Sequence, residues 1–165
     1  MRILKILLIG LLFINCSKPV EITTKTISVK APEPVYTYEI SKELKPYVFE
    51  YLNVLEDFNI DFNKQSFIVV FDADIIETDL AGQAKGMHNN NLVYVKVNPK
   101  MFNELTHKQK RHLIFHELSH DLFNTRHAEN IVLMRPSLPS PSESFTMDIE
   151  KEIVDLMMHI RNGQR

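Results

Sequence analysis

The stretch Thr106–Phe123, THKQKRHLIFHELSHDLF, decides how this chain is read. Leu113, Ile114, Leu118 and Leu122 recur at helical spacing and predict an apolar stripe. Thr106 stands where a helix N-cap is expected, and Asn124 where a left-handed residue stops a helix. Inside lies His116-Glu117-Leu118-Ser119-His120, the H-E-x-x-H pattern. Residues four apart on a helix lie one turn above each other, so two imidazoles can converge on one ion. Glu117, one residue after the first histidine, falls beside that ion, suited to take a proton from a water held there.

Beyond the helix, His127 comes three residues after Asn124. A left-handed break can turn the chain so that a third histidine reaches the same ion, and hydrolytic zinc commonly takes three protein ligands. With this set the sequence resembles the metzincins, zinc metallopeptidases with H-E-x-x-H-x-x-G-x-x-H followed by a methionine turn. It is more similar still to a branch among bacterial lipoproteins in which the third histidine comes one residue later. Asn124 takes the place of the helix-breaking glycine, and Val132-Leu133-Met134-Arg135-Pro136 matches the methionine turn.

The resemblance implies an α+β fold: a small zincin-like domain with a short twisted sheet, an active-site helix and a C-terminal helix. It implies one Zn2+ held by His116, His120 and His127, Glu117 as general base, and Met134 as an apolar floor beneath the metal. The implied activity is hydrolysis of peptide bonds in a peptide or protein substrate, with zinc lowering the pKa of its water toward ~7. Many metzincins place a tyrosine after the methionine turn, but no tyrosine follows Tyr94 here, which leaves the oxyanion role vacant or filled by the metal. A catalytically inactive zincin-fold lipoprotein that binds or assembles with a partner is the alternative, as is a tethered binding protein without metal. Should His127 be a bystander, Glu150 or Glu152 on the last helix would be the substitute ligand, as another zincin class takes a late glutamate.

Other polar residues near the motif have plainer readings. His112, one turn before His116, is expected in the core or beside the ligands, and His107 in solvent. Asp121 can orient an imidazole or be solvated. Met157 and Met158 read as core filler, and His88 to Asn91 as a polar turn or a cleft rim.

The rest of the folded part follows from periodicity. Ser41–Phe58 predicts a helix whose continuous part begins near Pro46, with Asn59 and Asp61 as its stop. Ser66–Phe71 predicts a buried strand, and Leu92–Val97 a second strand, placed at a sheet edge by Lys96 and Pro99. Between them Gly82 and Gly86 mark a loop or a poorly signalled strand. After a Pro/Ser-rich passage, Met147–Ile160 predicts a last amphipathic helix. By the resemblance, Leu92–Val97 would line the cleft and pair with an extended substrate.

The N-terminal end reads differently. Arg2 and Lys5 precede a nine-residue apolar run from Ile6 to Ile14, the layout of an export signal. That run is far below the ~20 residues needed to span a bilayer core. Phe13-Ile14-Asn15-Cys16-Ser17 resembles a bacterial lipoprotein box, which implies lipid attachment at Cys16 and anchoring in the cell envelope. The expected organisation is a signal peptide at 1–15, a lipidated tether at 16–37 and the domain at 38–165. One cysteine in 165 residues rules out an intrachain disulfide, and a net charge of -2 gives no reason to expect nucleic acid as a partner.

Overall fold

The computed structural model describes residues 37–62, 66–87, 89 and 91–163. The expected signal peptide, Cys16 and the tether up to residue 36 lie outside the described residues, as does His88.

The elements run β1 (Thr37–Ile40), α1 (Lys45–Asp57), β2 (Ser66–Phe71), β3 (Gly82–Ala84), β4 (Leu92–Val97), α2 (Pro99–Glu104), α3 (His107–Phe123), α4 (Pro141–Thr146) and α5 (Ile149–Gly163). Short 3-10 turns occupy Ala73–Ile75 and Val132–Met134. The fold is mixed α+β, with one four-stranded sheet in the order β1-β2-β4-β3. β1, β2 and β4 are parallel, and β3 pairs antiparallel with β4 through Gln83 opposite Lys96.

Side-chain alternation makes one face of the sheet the core. Phe67, Val69, Val93, Val95 and Val97 are buried, while Ile68, Val70, Tyr94 and Lys96 on the other face are half-exposed. Onto the sheet packs α3, which touches β3 and β4 and also α1. Leu113, Ile114, Phe115 and Leu118 of α3 join Val48, Tyr51 and Leu55 of α1 and Ile153, Leu156 and Met157 of α5 in one cluster. Arg111 clamps this arrangement by pairing with Glu50 of α1 and, at 2.6 and 3.1 Å, with Glu150 of α5. No described helix is long and apolar enough to cross a membrane.

The sheet order corrects one expectation. β4 is not an edge strand: β2 takes one side of it and β3 the other. Lys96 is tolerated on a central strand because it leaves the sheet on the half-exposed face and pairs with Asp72 and, at 3.9 Å, with Asp74. Pro99 falls after the strand, at the start of α2, where Asn98 caps the helix by accepting from the Lys100 and Met101 N–H groups. The edge on this side is β3, with β1 at the other; β3 is three residues with no strand propensity, whose pairing comes from the register of β4.

Candidate metal centre

Helix α3 differs from an ordinary surface helix in being buried nearly all round, from Arg111 through Ser119. Its polar residues therefore face protein rather than water, and each needs a partner. Thr106 and Gln109 start it with a capping box, and Asn124 stops it in the left-handed conformation at φ 52°. Beyond Asn124 the chain turns back, and the Ala128 N–H donates to the Met134 carbonyl at 2.9 Å. That bond ties the segment carrying His127 to the 3-10 turn at Val132–Met134, in which Met134 is fully buried.

The result is a group of three histidines. One ligand atom each from His116, His120 and His127 lies within 4.8 Å of the others. The His116 Nε2 is 3.0 Å from the His120 Nε2 and 3.3 Å from the His127 Nε2. His116 donates its Nδ1–H to the Leu133 carbonyl at 2.8 Å, and His120 donates its Nδ1–H to the Thr125 carbonyl. A carbonyl only accepts, so in both rings the proton sits on Nδ1 and the Nε2 is a bare lone pair. Lone pairs facing each other at 3 Å repel unless a cation lies between them. The donor set therefore fits a metal ion, with the neutral imidazoles that ligation requires.

Electrostatics keep them neutral. Burial pushes His116 down to about 3, against the pull of its Leu133 carbonyl bond and with help from the neighbouring imidazoles. Burial also lowers His120. Exposure rises across the group, from buried His116 through half-buried His120 to exposed His127, so the site opens on the His127 side.

Glu117 is 7% exposed and faces the same cleft. Burial pushes its carboxyl up to about 7, while a hydrogen bond from the Ala84 backbone draws it back. The edge strand thus touches the carboxylate directly, and Gly82 makes that approach possible. A Cβ at Gly82 would stand 2.9 Å from the Glu117 Cγ and 3.0 Å from the Leu113 Cδ1. Gly82→Ala is expected to destabilise the fold by about 1–3 kcal/mol, read from urea unfolding, with the metal content unchanged because no histidine is touched.

Asp121 holds the other end of that strand. It is 1% exposed, so the solvated reading does not hold. Its Oδ2 accepts from the Gly86 N–H at 2.7 Å and the Tyr94 N–H at 3.2 Å, fastening the β3–β4 connection to α3. A Cβ at Gly86 would sit 2.7 Å from that oxygen. These helpers of the site, Ala84, Gly82 and Gly86, carry no signal in side-chain chemistry; the sequence marks the two glycines only as a loop or poorly signalled strand, which is β3 and its exit.

No family model, curated protein or solved structure matches this chain.

The remaining expectations sort by position. The late glutamates are engaged elsewhere: Glu150 with Arg111, Glu152 with Lys151 at 3.7 Å, and Glu143 in the cap of α4. His127, not a late glutamate, completes the group among the described residues. His107 is exposed, its ring 3.2 Å from the Tyr47 hydroxyl. Met157 is core and Met158 is exposed, which splits that pair. His112 is buried, and burial, aided by the charge of Arg135, pushes it down to about 4.

A pH dependence follows from the two buried histidines. In the unfolded chain each protonates near 6.5, but in the fold only near 4 for His112 and near 3 for His116. Between those values the unfolded state binds more protons, so stability is full above about 6.5 and falls as pH drops through that window. The loss assigned to His112 is on the order of 3 kcal/mol. Urea midpoints of metal-free protein between pH 7 and 4 should fall steeply for wild type and less steeply for His112→Leu.

Proposed function

We propose that this chain is a zinc-dependent metallopeptidase of metzincin type, with the small zincin-like fold that the sequence resemblance implies. The observation that carries the reading is the meeting of three imidazole nitrogens, two of them fixed as bare Nε2 lone pairs, beside a buried carboxylate in a cleft of about 790 Å3. His116, His120 and His127 are the residues that would hold the ion. Tetrahedral zinc with Zn–N distances of about 2.0–2.1 Å sets its nitrogens about 3.3 Å apart, close to the 3.0 and 3.3 Å separations of the metal-free rings. Zinc in that position supplies Lewis acidity toward water and toward a peptide carbonyl.

The chain supplies the rest. Glu117 takes a proton from the attacking water on its carboxylate and returns it to the departing amine as the C–N bond breaks. In the metal-free site burial raises its pKa and makes it a stronger base than an ordinary carboxylate, a rise that a bound cation would offset. The Ala84 N–H keeps the carboxylate aimed during both transfers. Leu133 and Thr125 carbonyls hold two imidazoles in the ligating tautomer. Met134, buried in the same turn as Leu133, is the floor. The strand available to an extended peptide is β3 rather than β4, since of the two sheet edges β3 is the one that lines the cleft. The sequence at Phe13–Ser17 supports an envelope protein, exported and held to a membrane by lipid at Cys16.

The test is direct. Full-length protein should copurify with one zinc and cleave an unfolded protein such as reduced casein. Removal of the metal with 1,10-phenanthroline should stop cleavage and added zinc should restore it. Absence of zinc from protein purified without chelators would overturn the reading.

A further inference from the structure

The two walls of the cleft differ in charge. Leu113 and Glu117 of α3 meet Gly82 on one side, while His116 and His120 bond Leu133 and Thr125 on the other. The helix is thus the floor between β3 and the segment 125–135. The β3 wall offers backbone, with Asp79 ahead of it as the one exposed carboxylate of the lining. The other wall carries two cations, Arg126 and Arg135.

The bonds that place the histidines also place these arginines. Arg126 stands between Thr125, whose carbonyl accepts from the His120 Nδ1–H, and His127 of the histidine group. Arg135 follows the buried Met134, whose carbonyl accepts from the Ala128 N–H at 2.9 Å. Their backbones are held while both residues are exposed. Neither is neutralised. Arg126 has no hydrogen bond or ion pair among the described residues. Arg135 donates only through Nε, to the Glu129 carbonyl at 3.2 Å. Arg111 is the contrast, paired with both Glu50 and Glu150. Glu143 is held below the ordinary carboxylate range first by its bonds to Ser140 and only last by the Arg135 charge, so it does not cancel that cation. An arginine with its terminal nitrogens open presents the fork that a carboxylate fits.

We propose that Arg126 and Arg135 form an anion-reading lip that selects peptides carrying glutamate or aspartate beside the scissile bond, the two arginines being the specificity-determining residues. The proposal rests on the reading that a peptide lies in the cleft, and it names the side-chain class that peptide presents. The peptide backbone keeps to the β3 wall and its acidic side chain meets the charged one. Glutamine has the same shape without the charge, and lysine meets two like charges. An isolated exposed ion pair contributes little, so the selectivity comes from two cations on one lip and weakens as salt rises.

Binding is measured by fluorescence polarisation on the full-length chain carrying Glu117→Gln, which suppresses hydrolysis. The probes are Ala-Ala-Xaa-Xaa-Ala-Ala amides with a neutral coumarin at the N-terminus, Xaa being Glu, Gln, Lys or Leu. The Glu peptide should bind about tenfold more tightly than the other three. It should do so with and without zinc, because a carboxylate drawn to the ion alone would lose its preference in metal-free protein. Arg126→Gln with Arg135→Gln should bring Glu to within about twofold of Gln. Lys42→Gln with Lys45→Gln removes the same charge from two exposed residues outside the cleft lining and should leave the preference intact. Should the double arginine variant fail to fold, Arg126→Gln alone should still cost the Glu peptide about threefold or more. Equal binding of Glu and Gln, a preference that survives the arginine substitutions, one lost in the lysine control, or one seen only with zinc would each overturn the lip. Cleavage of the same peptides by wild type is scored separately. Cleavage without acidic preference sinks the lip and spares the peptidase, whereas arginine-dependent, acid-selective binding with no cleavage does the reverse.

Discussion

Glu117→Gln leaves the chain folded and metal-loaded and lowers peptide hydrolysis by about 10²–10⁴-fold, the range for a lost general base. The expectation of an intact fold comes from the contacts of this side chain. Its hydrogen bond arrives from the Ala84 backbone, and a glutamine carbonyl oxygen can still accept that bond, though less strongly than a carboxylate. The space is tight, with Gly82 against the Cγ, but glutamine has the same outline. The substitution also removes a carboxyl that burial penalises, so the variant should melt no lower than wild type. Only the proton-accepting function disappears. Measurement of zinc per chain, melting temperature and casein cleavage in parallel checks all three parts. Undiminished cleavage by the glutamine variant would assign the chemistry elsewhere.

His127→Ala should separate metal binding from folding. His127 is exposed, so its loss is expected to change the stability of metal-free protein by less than about 0.5 kcal/mol. It nevertheless supplies one of three ligand atoms, and zinc affinity should fall by at least about 100-fold. His116→Ala is the contrast: that ring is buried and bonded to Leu133, so both the metal and the fold should suffer. The same logic predicts the effect of zinc itself. Ligation adds about 4 kcal/mol of stability when free zinc exceeds the dissociation constant a thousandfold, and His127→Ala should lose that increment while unfolding normally without metal. Competition titration with a chromophoric chelator and urea unfolding with and without zinc give both numbers.

Much of the site was legible because its chemistry depends on side chains at fixed spacing along one helix. His116, Glu117 and His120 follow from the helical repeat, and Thr106 and Asn124 mark the two ends of α3 as capping residues should. The strands Ser66–Phe71 and Leu92–Val97 have the bounds their β-branched runs suggest. Misplacing β4 at the edge came from weighing Lys96 as an edge residue, when an acidic partner on the 3-10 turn at Ala73–Ile75 makes it compatible with a central strand. The 4-residue strand Thr37–Ile40 escaped because it is too short for periodicity to register. Helices α2 and α4 did have local signals, Asn98-Pro99 and Ser140-Pro141 with Glu143, each a cap followed by proline at the first helical position. They were hidden by reading proline as a break. The roles of Ala84, Gly82 and Gly86 depend on backbone atoms meeting side chains 30 or more residues away in sequence, and no local pattern encodes that.

The brevity of β3 has a consequence for colloidal behaviour. An open sheet border is ordinarily a template on which like chains stack, and proteins blunt such borders by shortening, charging or covering them. At three residues, this border presents too few backbone groups to nucleate assembly between copies of the domain. Under the proposed peptidase reading it would serve only to steady a guest strand, with the main grip coming from elsewhere in the groove. The same economy of length that makes this strand poorly signalled in the sequence thus blunts this border of the sheet against stacking by like chains, the opposite border being β1.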